Sequence, residues 1–211
     1  MKTLRWSFDF ISPFAYLQSR QLDRFEGLAR IEVRPILFAA LLDHHGQKGP
    51  AEIPVKKAHT FRQVVWQAHR QGVPLTLPSA HPFNPLPLLR LSIALGNTPE
   101  VVRALFDYVW VEGHLPTDAA PFAALCARLG VTDPQTTLGD ETVKKTLREN
   151  TEAAIAAGLF GVPTLEVDDQ RFWGADMTEA ALAYLQGDPI FQSPLMRRAE
   201  SLPDGVQRSP R

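Results

Sequence analysis

Ser12-Pro13 stands where an alternating apolar segment gives way to a helical one, and a serine at such a junction has two uses. It can cap the helix by accepting from a backbone N–H, with Pro13 at the first helical position, where an N–H would be unpaired anyway. It can also donate its hydroxyl hydrogen to an anion beside the positive end of the helix dipole. A thiolate carried in by a ligand is one such anion; a free thiol titrates near ~8.5 and turns reactive only when that value is lowered. The single cysteine, Cys126, lies in the apolar run Phe122-Ala123-Ala124-Leu125-Cys126-Ala127 and reads as a buried, inert thiol. One cysteine excludes an intramolecular disulfide, a CxxC redox pair, a structural zinc site and an iron–sulfur cluster.

Other residues could hold a ligand. Asp176, ahead of the last predicted helix, either caps that helix or pairs with the ammonium of an amino-acid head. Lys56 and Lys57 sit at a loop-to-helix junction, where a cation can hold a carboxylate, whereas Lys48 by default reads as a solvated surface lysine. His44 and His45 are adjacent and point apart, so they make a weak metal pair, and no metal site is expected.

The elements that must position these groups follow from periodicity. Residues 4–10 alternate, with Leu4, Trp6, Phe8 and Phe10 on one face and Arg5, Ser7 and Asp9 on the other. A helix from Ser12 to about Phe25, with Tyr16, Leu17, Leu22 and Phe25 inward, ends near Gly27. A second strand over 29–37 completes a β–α–β unit with a parallel sheet and a right-handed crossover. The middle of the chain reads as helices at 38–44, 55–71, 86–95, 99–112, 119–129 and 140–157, with Pro-rich loops at 75–87 and 132–137. Strands at 162–167 and 170–173 form a hairpin, and a helix over 178–186 ends at Gly187. The tail beyond Pro189, rich in Pro, Ser and Arg, is expected to fray at its end.

That order is an α/β thioredoxin fold, β-α-β then β-β-α, with an all-helical insertion between the two halves. The expected division is 1–37 with 159–190 as the thioredoxin-like domain, 38–158 as the helical insertion domain and 191–211 as a C-terminal tail. In such folds the reactive group sits where the first strand meets its helix, here Ser12-Pro13-Phe14-Ala15. Redox members carry two cysteines there; Ser12 and Ala15 exclude dithiol chemistry at the site. Pro163, entering a strand, is restricted to an edge, a strand start or a special turn. A cis Pro at this place would leave the backbone of Val162 free to pair with an extended, peptide-like ligand, while a trans bond would be an ordinary strand start.

Composition narrows the partners. In 211 residues, 45% are hydrophobic and 21% charged, which is ordinary globular usage. Lys+Arg 22 against Asp+Glu 23 leaves a net charge of -1, so neither nucleic acid nor an anionic membrane is an expected partner. The N-terminus lacks a signal-peptide apolar block and no segment reaches a membrane span, so a soluble, cytoplasmic protein is expected.

The string Phe8-Asp9-Phe10-Ile11-Ser12-Pro13-Phe14-Ala15-Tyr16-Leu17 resembles the opening of the 2-hydroxychromene-2-carboxylate isomerases, relatives of kappa-class glutathione transferases and DsbA-like oxidoreductases. Phe160-Gly161-Val162-Pro163-Thr164-Leu165-Glu166-Val167 with Phe172-Trp173-Gly174-Ala175-Asp176 is similar to the second signature of that family. Pro54-Val55-Lys56 and His81-Pro82-Phe83-Asn84-Pro85-Leu86 are looser echoes. The resemblance implies glutathione as cofactor, with Ser12 activating its sulfur and Val162, before Pro163, pairing with the cysteinyl unit. It implies that Asp176, with Trp173, Gly174 and Ala175, holds the γ-glutamyl end, and that Lys56 approaches the glycine carboxylate or the substrate.

Gln47 stands where the family has an asparagine and His59 where a tyrosine is common, departures that bear on the substrate. Gln47, Lys48 and Phe83 are the expected substrate-side residues, and Phe38, Phe61, Phe83, Trp66 and Trp110 could wall an aromatic pocket or simply form core. The implied reaction interconverts 2-hydroxychromene-2-carboxylate and trans-o-hydroxybenzylidenepyruvate, or a related aromatic conjugated acid, through a transient glutathione adduct, a step of aromatic hydrocarbon catabolism. The alternatives are a kappa-type glutathione S-transferase, a DsbA-like thiol–disulfide oxidoreductase and a non-catalytic glutathione-binding module. Family members are often dimers, so a homodimer is compatible with the resemblance, although no interface is legible in the sequence.

Overall fold

In the computed structural model, β1 (Lys2–Phe8) is the strand on which the rest is built, and residues 1–203 and Gly205 are described. It pairs in parallel with β2 (Ala29–Pro35), Trp6 opposite Val33, and antiparallel with β3 (Thr164–Val167), Trp6 opposite Leu165. β4 (Gln170–Trp173) adds to β3 in antiparallel register, giving the order β2-β1-β3-β4. The thioredoxin fold read from the sequence is thus present, with its two halves joined through the β1–β3 pair.

The first crossover is shorter than its periodicity suggests. α1 (Pro13–Ser19) spans seven residues and Leu22–Phe25 is a separate 3-10 turn, so the expected helix to Phe25 is broken after Ser19. β1 ends at Phe8 and not at Phe10, because the Asp9 carboxylate accepts from the Ile11 N–H (3.1 Å) and the Phe38 N–H (2.9 Å), turning the chain.

The insertion comprises α2 (Phe38–His44), α3 (Pro54–Gln71), α4 (Leu86–Ala94), α5 (Pro99–Trp110), α6 (Ala119–Arg128), α7 (Pro134–Gly139) and α8 (Glu141–Ala156). α7 falls where a Pro-rich loop was expected. Asp133 caps it by accepting from Thr136 N (3.1 Å) and Thr136 Oγ1 (2.6 Å), and Pro134 takes the first helical position. After β4 come α9 (Thr178–Leu185) and α10 (Pro194–Glu200); the latter forms in the expected tail because Ser193 accepts from Met196 N at 3.1 Å. The frayed end expected of that tail falls on residues 204 and 206–211, outside the described residues.

One buried cluster runs through both the sheet and the insertion. Phe106 of α5 lies 5.5 Å from Phe8 and 4.7 Å from Phe10, ring centre to ring centre, and 6.1 Å from Trp6. These contacts weld α5 to the apolar face of β1, each buried ring contributing about 1.5–3 kcal/mol of apolar transfer. Phe106→Ala is therefore expected to cost about 3–5 kcal/mol. Urea unfolding should still show a single transition, coincident by near- and far-ultraviolet circular dichroism and shifted to lower denaturant.

Candidate active site

Ser12 occupies the turn between β1 and α1 as a cap residue with extended backbone, φ -87° and ψ 115°. Its Oγ accepts from Ala15 N at 3.2 Å and donates to Val162 O at 3.5 Å, the outer limit of a hydrogen bond. The hydroxyl hydrogen is thus weakly engaged and available to a better acceptor. The Val162–Pro163 bond is cis. Thr164 Oγ1 donates to Gly161 O (2.8 Å) and Gly174 N donates to Pro163 O (2.8 Å), stitching this turn to the end of β4. With α1 only two turns long and the Ala15 N–H already satisfied, the helix dipole contributes less here than the sequence suggests.

Ser12 and Val162 open into a cavity of about 550 Å³. Phe38 and Leu42 of α2 and Phe61 of α3 form apolar walls, and Gln47, Lys48 and Phe83 reach it from loops. At the rim, Phe160 (44% exposed) and Trp173 (52% exposed) pack edge to face at 4.8 Å. The Trp173 indole lies against the backbone of Gly161, where any Cβ would collide with it. Of the aromatic residues considered for the wall, Phe38, Phe61 and Phe83 line the cavity. Trp110 is wholly buried, its Nε1 donating to Phe10 O at 2.9 Å, and Trp66 is 58% exposed on the outer face of α3.

Ser12, Val162, Trp173, Gln47, Lys48 and Phe83 are therefore brought together around one cavity. Pro163, Gly174 and Ala175 lie behind the wall, with Ala175 in the core, and Asp176 is exposed on the loop after Trp173. Lys56 faces solvent on the first turn of α3 and does not line the cavity. Its neighbour Lys57, rotated by roughly 100° on the helix, turns inward and donates to His81 O.

Two cavity residues escaped the sequence reading. Asp9 is fully buried, because β1 is covered on both faces, and burial pushes its carboxyl up to about 7 despite the backbone donors Phe38, Ile11 and Phe10. His81, after which a second cis bond leads to Pro82, hydrogen-bonds Ile11 O through Nε2 at 2.8 Å. Burial holds its pKa below the usual histidine value, so the ring is neutral near pH 7 with the proton on Nε2. Asp9 read as the polar face of the first strand, and His81 was present only within the loose family echo at 81–86, with no role attached to either side chain. Cys126 is buried in α6, where burial raises its thiol pKa, and it lies outside the cavity lining.

This geometry defines a thioredoxin-fold protein with a serine hydroxyl where the first strand meets its helix. The chain belongs to the DsbA-like thioredoxin family, whose model matches residues 3–186. It is 30% identical over 189 residues to a 2-hydroxychromene-2-carboxylate isomerase of Pseudomonas putida, covering 84% of this chain and 93% of that protein. It is 26% identical over 219 residues to glutathione S-transferase kappa 2 of Caenorhabditis elegans, covering 93% and 96%. A solved 2-hydroxychromene-2-carboxylate isomerase superposes with a TM-score of 0.75 at 25% identity, over 90% of this chain and 99% of the other. A cytosolic disulfide reductase of Pseudomonas aeruginosa, solved with GSH, shares the fold at TM-score 0.56 and 14% identity, over 94% and 99%. Among the described residues no helix is long and apolar enough to cross a membrane.

The raised Asp9 pKa carries a sign. The folded state keeps this proton up to about pH 7, whereas the unfolded chain releases it near 3.8. Stability therefore falls as pH rises through that window and levels off above it. In Asp9→Asn that slope, a few kcal/mol over the whole window, should disappear. Denaturant unfolding of both proteins from pH 4 to 8 measures the difference.

Proposed function

We propose that the protein is a glutathione-dependent isomerase of aromatic conjugated acids, interconverting 2-hydroxychromene-2-carboxylate with trans-o-hydroxybenzylidenepyruvate or a close relative. The observation that carries this reading is the loosely engaged Ser12 hydroxyl, 3.5 Å from Val162 O, opening onto an aromatic-walled cavity. The residues fit a thiol tripeptide: a weakly engaged hydroxyl hydrogen for the sulfur, the Val162 backbone for its extended chain, and the exposed Asp176 carboxylate for its ammonium. The curated relatives named as isomerases and as kappa glutathione transferases support the same cofactor.

Glutathione, when bound, supplies a thiolate that adds reversibly to the conjugated system and is released unchanged. Ser12 donates its hydroxyl hydrogen to that sulfur, favouring the charged form and lowering the thiol pKa. The Val162 backbone holds the cysteinyl unit in extended conformation, and Asp176 pairs with the ammonium of the γ-glutamyl end. Phe38, Phe61 and Phe83 bury the substrate ring and exclude water. Lys48 and Gln47 face its carboxylate, and Lys48 replaces Lys56 as the cation facing the cavity. The neutral His81 holds Ile11 O and so keeps the Ser12 turn in place.

The deciding experiment follows trans-o-hydroxybenzylidenepyruvate and free thiol together. Turnover with thiol unchanged supports the isomerase, and stoichiometric loss of thiol gives the transferase instead. Turnover of neither kind while glutathione binds makes the protein a binding module. Ser12→Ala is expected to leave glutathione affinity within about tenfold and to lower turnover by about a hundredfold. An unchanged rate would remove Ser12 from its role.

A further inference from the structure

The loop after β4 is held by a residue that touches no part of the cavity. Gln18, on α1, is completely buried and uses its whole amide. Its Oε1 accepts from Trp6 Nε1 of β1 at 2.9 Å, which fixes the orientation of the group. Its Nε2 donates to Gly174 O at 3.1 Å and to Thr178 Oγ1 at 3.0 Å. Thr178 Oγ1 passes the chain on to Ala175 O at 2.8 Å. Gly174 is pinned from its other side as well, its N–H donating to Pro163 O at 2.8 Å. Its φ of 100° and the nearness of Asp176 Oδ1, with which any Cβ would collide, leave room for glycine alone.

This amide therefore ties three things together: the central strand, the helix that begins at Ser12, and the carbonyls of Gly174 and Ala175. With those two carbonyls drawn inward, the next residue, Asp176, is left exposed. A buried amide with every group satisfied is rigid, because any displacement strands a polar group in the core. We propose that Gln18 is a positioning residue that sets the Asp176 loop at a fixed distance from Ser12, and thereby selects ligands carrying an amino-acid head beyond the thiol. The inference rests on the proposed reading that Asp176 holds the γ-glutamyl end of glutathione.

The test is a ratio of affinities, which a general loss of stability does not move. Glutathione and cysteinylglycine, which lacks the γ-glutamyl head, are titrated calorimetrically into the wild type, Gln18→Met and Gln18→Glu. Gln18→Met removes both sides of the amide; Gln18→Glu keeps an acceptor for Trp6 and turns an oxygen towards Gly174 O. The wild type should prefer glutathione by about tenfold or more, and both variants should bring that preference within about threefold of unity with cysteinylglycine affinity unchanged within about twofold. Wild-type preference retained in the variants, equal loss of both ligands, or failure of both variants to fold overturns the inference. A wild type that binds the two ligands equally, or neither, removes the proposed reading of the loop itself.

Discussion

Antiparallel pairing of β1 with β3 is the constraint on which the site depends. Ser12 and Val162 are separated by 150 positions, yet their hydroxyl and carbonyl face each other because Trp6 lies opposite Leu165 in the sheet. Slipping that register by one residue would send every side chain of the strand to the other face. Trp6 and Phe8 would then lose their contacts with Phe106, so the same packing that stabilises the core fixes the geometry at the turn. The chemistry and the fold share one set of apolar contacts.

Much of this was legible in the chain. The alternation of Leu4, Trp6 and Phe8, the Ser-Pro helix start and the Gly-Val-Pro-Thr turn each carry a local signal, and together they locate the site and its two halves. What stayed hidden was tertiary. Asp9 reads as the outward face of a strand, and only a second layer over that face buries it. Lys56 and Lys57 are indistinguishable by type, and which of them turns inward depends on how α3 is rotated. The Asp133-Pro134 pair reads as a loop because proline breaks helices, yet it also begins them. Gln18 sits among apolar residues of α1 as if it were a solvent position, and nothing within the helix says that Trp6 and Gly174 will meet it.

Two titratable groups of the cavity, Asp9 and His81, are shifted in opposite directions from their usual values by the same cause. Burial disfavours charge on Asp9 and on His81 alike, so both tend to neutrality near pH 7.

The burial of Cys126 has a practical corollary. It is the only cysteine in 211 residues, and it is sealed within α6 with its thiol pKa raised. Maleimide fluorophores react with accessible thiolates. A cysteine introduced at an exposed position, such as Arg171 on β4, would be the sole attachment point on the native molecule. Single-site labelling for distance or anisotropy measurements is thus open to this protein without first removing a native residue.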